Sequence, residues 1–220
     1  MSEYATSSRT ATPPAPDAEL AARIVSLVGS RLCHDLISPL GAIGNGVELL
    51  QMAGDWPGLK DSPEMSLIED ALRAARARIT CFRIAFGGTG GTQRVSPAEF
   101  ATLIGEVEKA GRMRITLEVA EDQARGQVKL VMLALMCLET AMPWGARVII
   151  RHEGRDWIIS AEAERTRHDP ALWAWLTGPR GDQPEPAASE VHFALLGLAA
   201  MELARNIRWT LTETGAEIRF

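Results

Sequence analysis

Two adjacent side chains with the chemistry of a nucleophile or base and its carboxylate neighbour, His34 and Asp35, stand in the run Ser30-Arg31-Leu32-Cys33-His34-Asp35-Leu36-Ile37-Ser38-Pro39. At about 100° of turn per helical residue, Val25, Val28, Leu32, Leu36, Leu40, Ile43, Val47 and Leu50 fall on the side opposite His34. Ser30, Arg31, Ser38, Gly41, Asn45 and Glu48 gather around it. A core histidine belongs on the apolar stripe; this one is centred on a polar, small-residue face. There it is either a reactive imidazole or a surface histidine with no task. A Cys33–His34 catalytic pair is disfavoured, because neighbouring helical positions diverge by about 100°.

The element that carries His34 is expected as a helix from about Asp17 to Met52, with Asp17 available as an N-cap and a kink favoured at Pro39. Gly41, Gly44 and Gly46 follow within two turns, each costing roughly 1 kcal/mol of helix stability relative to alanine. They admit either the close approach of another protein or tight packing on a neighbouring helix. Gly54-Asp55-Trp56-Pro57-Gly58 breaks the run. Ser62-Pro63-Glu64 then opens a second helix with a cap, a proline in the first turn and an acidic start. In it Met65, Ile68, Leu72, Ala75, Ile79, Phe82 and Phe86 alternate at steps of three and four, the seam of a helical bundle. Arg73, Arg76, Arg78 and Arg83 lie off the seam, as a solvated face or as a surface for an acidic partner. Two helices with one stripe each cannot bury both stripes alone. The expectation is a homodimer through residues 17–86, a four-helix bundle with two copies of His34 outside.

Gly87-Gly88-Thr89-Gly90-Gly91 reads as a linker, extending over 87–95, and lacks the Gly-Lys-Ser/Thr ending of a phosphate-binding loop. Residues 96–220 read as an α/β domain. Ser96-Pro97-Ala98-Glu99 is a capping box opening a helix to about Gly111. A strand at 114–119 and a buried helix from Val128 to Met142 come next. Strands at 146–152 and 157–163 form a hairpin through Glu153-Gly154-Arg155-Asp156. A short helix near 170–176, a Gly/Pro-rich loop at 178–187, a helix from about Ser189 to Arg205 and strands at 207–212 and 216–220 complete one mixed sheet, covered by helices on one face.

A net charge of -5 over 220 residues disfavours nucleic acid as the main partner. Residues 1–16, rich in Ser, Thr, Ala and Pro, carry neither the basic nor the apolar region of a signal peptide and read as a disordered tail. The apolar run at 128–142 is interrupted by Lys129 and Glu139 and is too short to span a bilayer, so no membrane association is expected. Cys33, Cys81 and Cys137 are odd in number and far apart, which suits reduced thiols in a cytoplasm. His152, His168 and His192 are scattered, without metal-ligand spacing.

The hexapeptide His34-Asp35-Leu36-Ile37-Ser38-Pro39 resembles the phosphoacceptor motif of histidine kinases. The wider segment Arg31 to Pro39, together with Arg83-Ile84-Ala85-Phe86-Gly87, resembles the ChpT-type histidine phosphotransferases of alphaproteobacteria. The likeness runs over nearly the whole chain after residue 17 and is most specific in the first helix. It implies an α+β protein: an N-terminal antiparallel helical hairpin forming a dimeric four-helix bundle, then a degenerate histidine-kinase-like (Bergerat) α/β sandwich domain.

In the kinases a helix carries a magnesium-binding asparagine just before an alanine. Here Leu138-Glu139-Thr140-Ala141-Met142 has Thr140, and the chain's asparagines are Asn45 and Asn206. The adenine-binding D-x-G-x-G loop is replaced by Glu164-Arg165-Thr166-Arg167-His168-Asp169, and the later glycine-rich segment leaves only Leu196-Gly197-Leu198. The resemblance therefore implies a protein that relays phosphate through His34 between receiver-domain aspartates without using ATP. Asp35 is expected to orient the ring or stabilise its N–H, through a contact that helical geometry alone makes indirect. Arg31, Ser38, Gly41 and Asn45 are expected to dock the receiver. No resident cofactor is expected, the receiver supplying magnesium. The implied partners are the receiver of a CckA-like hybrid kinase and CtrA-like and CpdR-like response regulators. The alternatives are a histidine kinase with a diverged pocket and a dimeric adaptor that binds receivers without exchanging phosphate.

Overall fold

The computed structural model describes residues 3–8, 16–53, 56, 58–88, 93–167, 169–177 and 185–220, with side chains from Val25 on except at 26 and 30. Its elements are β1 (Glu3–Ser8), α1 (Pro16–Ala53), α2 (Pro63–Ala85), β2 (Arg94–Val95), α3 (Pro97–Ala110), β3 (Met113–Glu118), β4 (Gln123–Ala124), α4 (Arg125–Ala141), β5 (Ala146–Glu153), β6 (Asp156–Glu162), α5 (Pro170–Trp173), α6 (Val191–Glu202), β7 (Arg208–Thr212) and β8 (Gly215–Arg219). Single 3-10 turns occupy Ala174–Thr177 and Ala188–Glu190. The expected helix break at Gly54, Asp55 and Pro57, the glycines of 89–91, His168 and the loop at 178–184 lie outside the described residues, as does the Ser30 side chain.

Helix α1 runs for 38 residues, through Pro39. It begins at Pro16, so Asp17 is inside the helix rather than at its cap. Ser62 caps α2 as expected, its Oγ accepting from the Met65 N–H at 3.2 Å in front of Pro63. The two helices are antiparallel. Arg76 Nη2 donates to the Leu40 carbonyl at 3.1 Å and Gln51 Nε2 to Glu69 at 2.7 Å. At the other end a Cβ added to Gly29 would lie 2.9 Å from the Phe86 Cβ.

Small and compact residues make this contact. Cys33, Gly44 and Val47 are buried, and a Cβ on Gly44 would collide with the Arg76 guanidinium. The larger aliphatic side chains point elsewhere: Val25, Val28, Leu32, Leu36, Ile43 and Leu50 are 46–59% exposed. The line of α1 that meets α2 is therefore displaced from the centre of the apolar stripe. Most of the stripe is uncovered within one chain, and Leu67 and Ile68 of α2 are exposed as well.

The far end of α2 serves a second purpose. Cys81, Ile84 and Ala85 belong to the same core as Phe100 and Ile104 of α3 and Val128, Val131 and Leu135 of α4. The seam expected for α2 is mixed in consequence. Met65 and Ile79 are buried, Leu72, Ala75, Phe82 and Phe86 half-buried, and Ile68 exposed. The end of α2 and the α/β domain thus share one apolar core.

The sheet has six strands in the order β1-β7-β8-β6-β5-β3, antiparallel except for β3 beside β5. Burial alternates along β5 and β8, so one face is packed and the other is open. Gly154 turns the β5–β6 hairpin at φ +63, a conformation that suits glycine. The capping box at α3 is complete: the Glu99 N–H donates to Ser96 Oγ, and the Ser96 N–H donates to Glu99 Oε2 at 2.9 Å. Helix α4 is apolar nearly all round because it lies between the sheet, α6 and the end of α2.

Two expectations are corrected here. Glu3–Ser8, read as part of a disordered tail, form an edge strand on β7; Tyr4 is their single large apolar residue, so no hydrophobic period announced it. Arg94–Val95, assigned to the linker, pair with Gln123–Ala124 in a separate two-stranded sheet. Two-residue strands carry too little pattern to be read in advance.

Candidate phosphoacceptor and docking site

His34 lies mid-way along α1 with its side chain 83% exposed. Two neighbours in the chain organise it. Asp35 Oδ1 is 3.2 Å from His34 Nδ1, and Asp35 Oδ2 accepts from Arg31 Nε at 2.7 Å, one helical turn away. The contact expected to be indirect is direct, because both exposed side chains lean toward each other. Hydrogen bonds from His34 and then Arg31 hold the Asp35 carboxyl below the usual carboxylate range. An ionised carboxylate only accepts, so the hydrogen of a neutral ring belongs on Nδ1 and the lone pair on Nε2. Nothing in α1 buries that nitrogen's ring, and it is available to an electrophile from solvent.

The other expected docking residues share this face. Arg31, Ser38 and Asn45 are exposed, and a Cβ built on Gly41 would meet no atom within 4 Å. The three glycines therefore divide: Gly44 is a helix-packing glycine, whereas Gly41 and Gly46 border open space. Cys33 is buried against α2, and burial pushes its thiol pKa up. It is turned away from the imidazole next to it. All three cysteines are free and buried.

In the α/β domain, Thr140 and the residues around 165–169 make contacts within the chain. Thr140 Oγ1 is 3.1 Å from Nε2 of His192. His192 is buried in the first turn of α6, and desolvation lowers its pKa to about 4. Thr166 Oγ1 donates to the Thr212 carbonyl at 2.6 Å, Arg167 donates to Glu190 at 3.1 Å, and Asp169 caps α5 by accepting from the Leu172 N–H. Arg165 stacks on Trp144, its guanidinium carbon 3.7 Å from the ring centroid. Leu196, Gly197 and Leu198 are part of α6.

His152 stacks on Trp157 at the end of its strand. Among the described residues, no group of three His, Cys, Asp or Glu side chains could hold a metal ion, and no helix is long and apolar enough to cross a membrane. Sequence patterns gave no notice of two relationships: the Thr140–His192 pair, 52 residues apart, and Lys129, whose buried Nζ donates to the Gly87 carbonyl at 2.8 Å.

An outward histidine on a helical hairpin is thus joined to an α/β domain built on a six-stranded sheet. The model of the histidine phosphotransferase C-terminal domain matches residues 97–215. The protein phosphotransferase ChpT of Brucella abortus (strain 2308) is 33% identical over 181 residues, covering 79% of this chain and 84% of that one. The chain belongs to the histidine phosphotransferase family, of the ChpT-like kind.

Among solved structures, one described as a bacterial phosphotransferase is similar over 96% of this chain and 99% of its own, with 27% identity and a TM-score of 0.64. A histidine kinase domain from Erythrobacter litoralis is 12% identical, covering 70% of this chain and 83% of that one, with a TM-score of 0.43.

Proposed function

We propose that this phosphotransferase relays a phosphoryl group between receiver-domain aspartates through phospho-His34, without drawing on ATP. The observation that carries the reading is the His34–Asp35 geometry: an exposed ring whose Nδ1 is engaged and whose Nε2 is open. Nε2 attacks the phosphorus of a receiver's aspartyl phosphate; the N–P bond forms as the acyl phosphate P–O bond breaks, and the aspartate leaves as a carboxylate. Because Nδ1 keeps its hydrogen, the phosphorylated ring is cationic, and the Asp35 carboxylate beside it offsets that charge. Transfer to a second receiver is the same step reversed. Phosphoryl transfer of this kind asks mainly for in-line positioning and charge neutralisation. The receiver brings its own magnesium, while α1 supplies the nucleophile and a docking face of Arg31, Ser38, Gly41 and Asn45.

The occupied positions around Thr140, Thr166 and Arg167 support an ATP-independent role. The open stripe of Val25, Val28, Leu32, Leu36, Ile43 and Leu50 supports assembly of two hairpins into a four-helix bundle, with one His34 on each side. The partners that fit are the receiver of a CckA-like hybrid kinase and CtrA-like and CpdR-like response regulators, met in the cytoplasm.

The test is transfer of label from a phosphorylated receiver to the intact chain and to His34→Ala, with ATP titrated calorimetrically in parallel. The expected result is transfer to the intact chain only and no heat with ATP. Transfer to the variant would remove the relay. ATP binding would favour a kinase, and receiver binding without transfer would favour an adaptor.

A further inference from the structure

The arginines of α2 are not equivalent. Arg73 pairs with Asp70 at 2.7 Å, Arg76 donates to the Leu40 carbonyl, and Arg78 reaches Glu139 at 3.3 Å. Arg83 is exposed and, among the described residues, has no such carboxylate or carbonyl. The hairpin register, fixed by Gly29 against Phe86 and Leu40 against Arg76, puts Arg83 level with Cys33 and His34. Its charge reaches the Cys33 thiol on the α2-facing side of α1, one residue before His34 in the chain.

A second guanidinium stands behind it. The Lys129–Gly87 hydrogen bond ties α4 to the end of α2; Arg125 is one turn back from Lys129, and Arg83 one turn back from Gly87. Arg125 is half-buried, and among the described residues no carboxylate pairs with it. Both its desolvation and its repulsion from Arg83 disfavour its charge. Glu202 attracts Lys129, the third cation of the group. The first turn of α4 adds no acidic residue and no side-chain cap, and the Arg125 N–H donates to the Gln93 carbonyl at 3.0 Å. Two like charges held together at a junction, one of them partly desolvated, are a cost in the free protein that an incoming anion offsets.

We propose that Arg83, backed by Arg125, is an electrostatic seat for the acidic rim of the receiver domain that docks over His34, so that the partner is read by the junction of both domains and not by α1 alone. The inference rests on the relay reading and adds positioning residues to it. An aspartyl-phosphate protein presents clustered carboxylates and a phosphoryl group around its reacting aspartate, the complement of a guanidinium pair. Contacts of this kind act on encounter and register, more than on the chemical step.

The experiment measures initial transfer rate against the concentration of a phosphorylated receiver, at two salt concentrations, for the full-length chain, Arg83→Glu and Arg73→Glu. Arg73→Glu makes the same change of charge on the same helix, three turns away. The expected result for Arg83→Glu is about a tenfold rise in the half-saturating receiver concentration, a saturated rate within about twofold of the unaltered chain and a weaker salt dependence. Arg73→Glu is expected to change none of these. Where circular dichroism shows that Arg83→Glu does not fold, Arg83→Gln carries the same comparison, with a smaller rise of roughly threefold. Equal effects of the two substitutions, or an effect confined to the saturated rate, would overturn the seat. Absence of transfer in the unaltered chain overturns the relay reading and with it this one, so the two failures are distinct.

Discussion

Thr140 Oγ1 and His192 Nε2, 3.1 Å apart, join α4 to α6. His192 is buried and Thr140 half-buried, and the ring also hydrogen-bonds the Met136 backbone. The contact has a consequence for stability.

His192 is neutral when the protein is folded. Its pKa is about 4 in the folded chain against an ordinary 6.5, so between those values the unfolded chain binds the extra proton. Stability is therefore fully present above pH 6.5 and is lost as pH falls toward 4, by up to roughly 3 kcal/mol. Urea unfolding at pH 7 and pH 4.5 is expected to show this loss in the unaltered chain and a smaller one in His192→Gln, which cannot gain the proton.

Asp35 is the carboxylate in contact with the His34 ring. Asp35→Asn should leave α1 folded, since the side chain is exposed, but it removes the charge that fixes the His34 hydrogen on Nδ1. A drop of roughly tenfold in the rate of transfer from a receiver is expected, with His34 still the residue labelled. Stopped-flow transfer kinetics read it directly; an unchanged rate would mean that the 3.2 Å contact does not serve the chemistry.

Gly41 and Gly29 should respond in opposite directions to alanine. Around Gly41 nothing lies within 4 Å, whereas at Gly29 the new Cβ would press on Phe86. Gly41→Ala is expected to stabilise the chain by about 0.5–1 kcal/mol through helix propensity and to slow transfer by narrowing the docking face. Gly29→Ala should lower the melting temperature, because the gain in propensity is spent on moving a helix–helix contact. Thermal unfolding of the two variants side by side separates these cases.

The uncovered stripe makes a prediction about assembly. Leu32→Asp with Ile43→Asp places two charges on the exposed aliphatic face and none on the line that meets α2. Light scattering is expected to show a dimer for the unaltered chain and a monomer for the variant, with the α/β domain still folded by circular dichroism. A variant that remains dimeric would place the interface elsewhere.

Local signals carried much of this architecture. Ser62 and Pro63 before α2, the Ser96–Glu99 box before α3 and Gly154 in its hairpin each act on the two or three residues beside them, and sequence shows such effects plainly. The polar setting of His34 was legible for the same reason, since helical period alone separates it from Leu32 and Leu36. What escaped depends on distant partners or on small size. The displacement of the α2 contact onto Cys33, Gly44 and Val47 could not be read from hydrophobicity, because small residues win that contact by allowing close approach. Whether Gly41 or Gly44 was the packing glycine needed Arg76 in place. The His192–Thr140 pair and the Lys129–Gly87 clasp join residues with no local signature, and the two-residue strands at 94–95 and 123–124 are shorter than any period.

In the proposed relay, Nε2 of His34 carries the phosphoryl group. The most direct measurement is to incubate the chain with a phosphorylated receiver, in the absence of ATP, and to locate the transferred phosphate by mass spectrometry and by phosphorus–nitrogen coupling in NMR. The expected result is one acid-labile phosphate per chain, on Nε2 of His34. Phosphate on another residue, or on Nδ1 of this one, would contradict it.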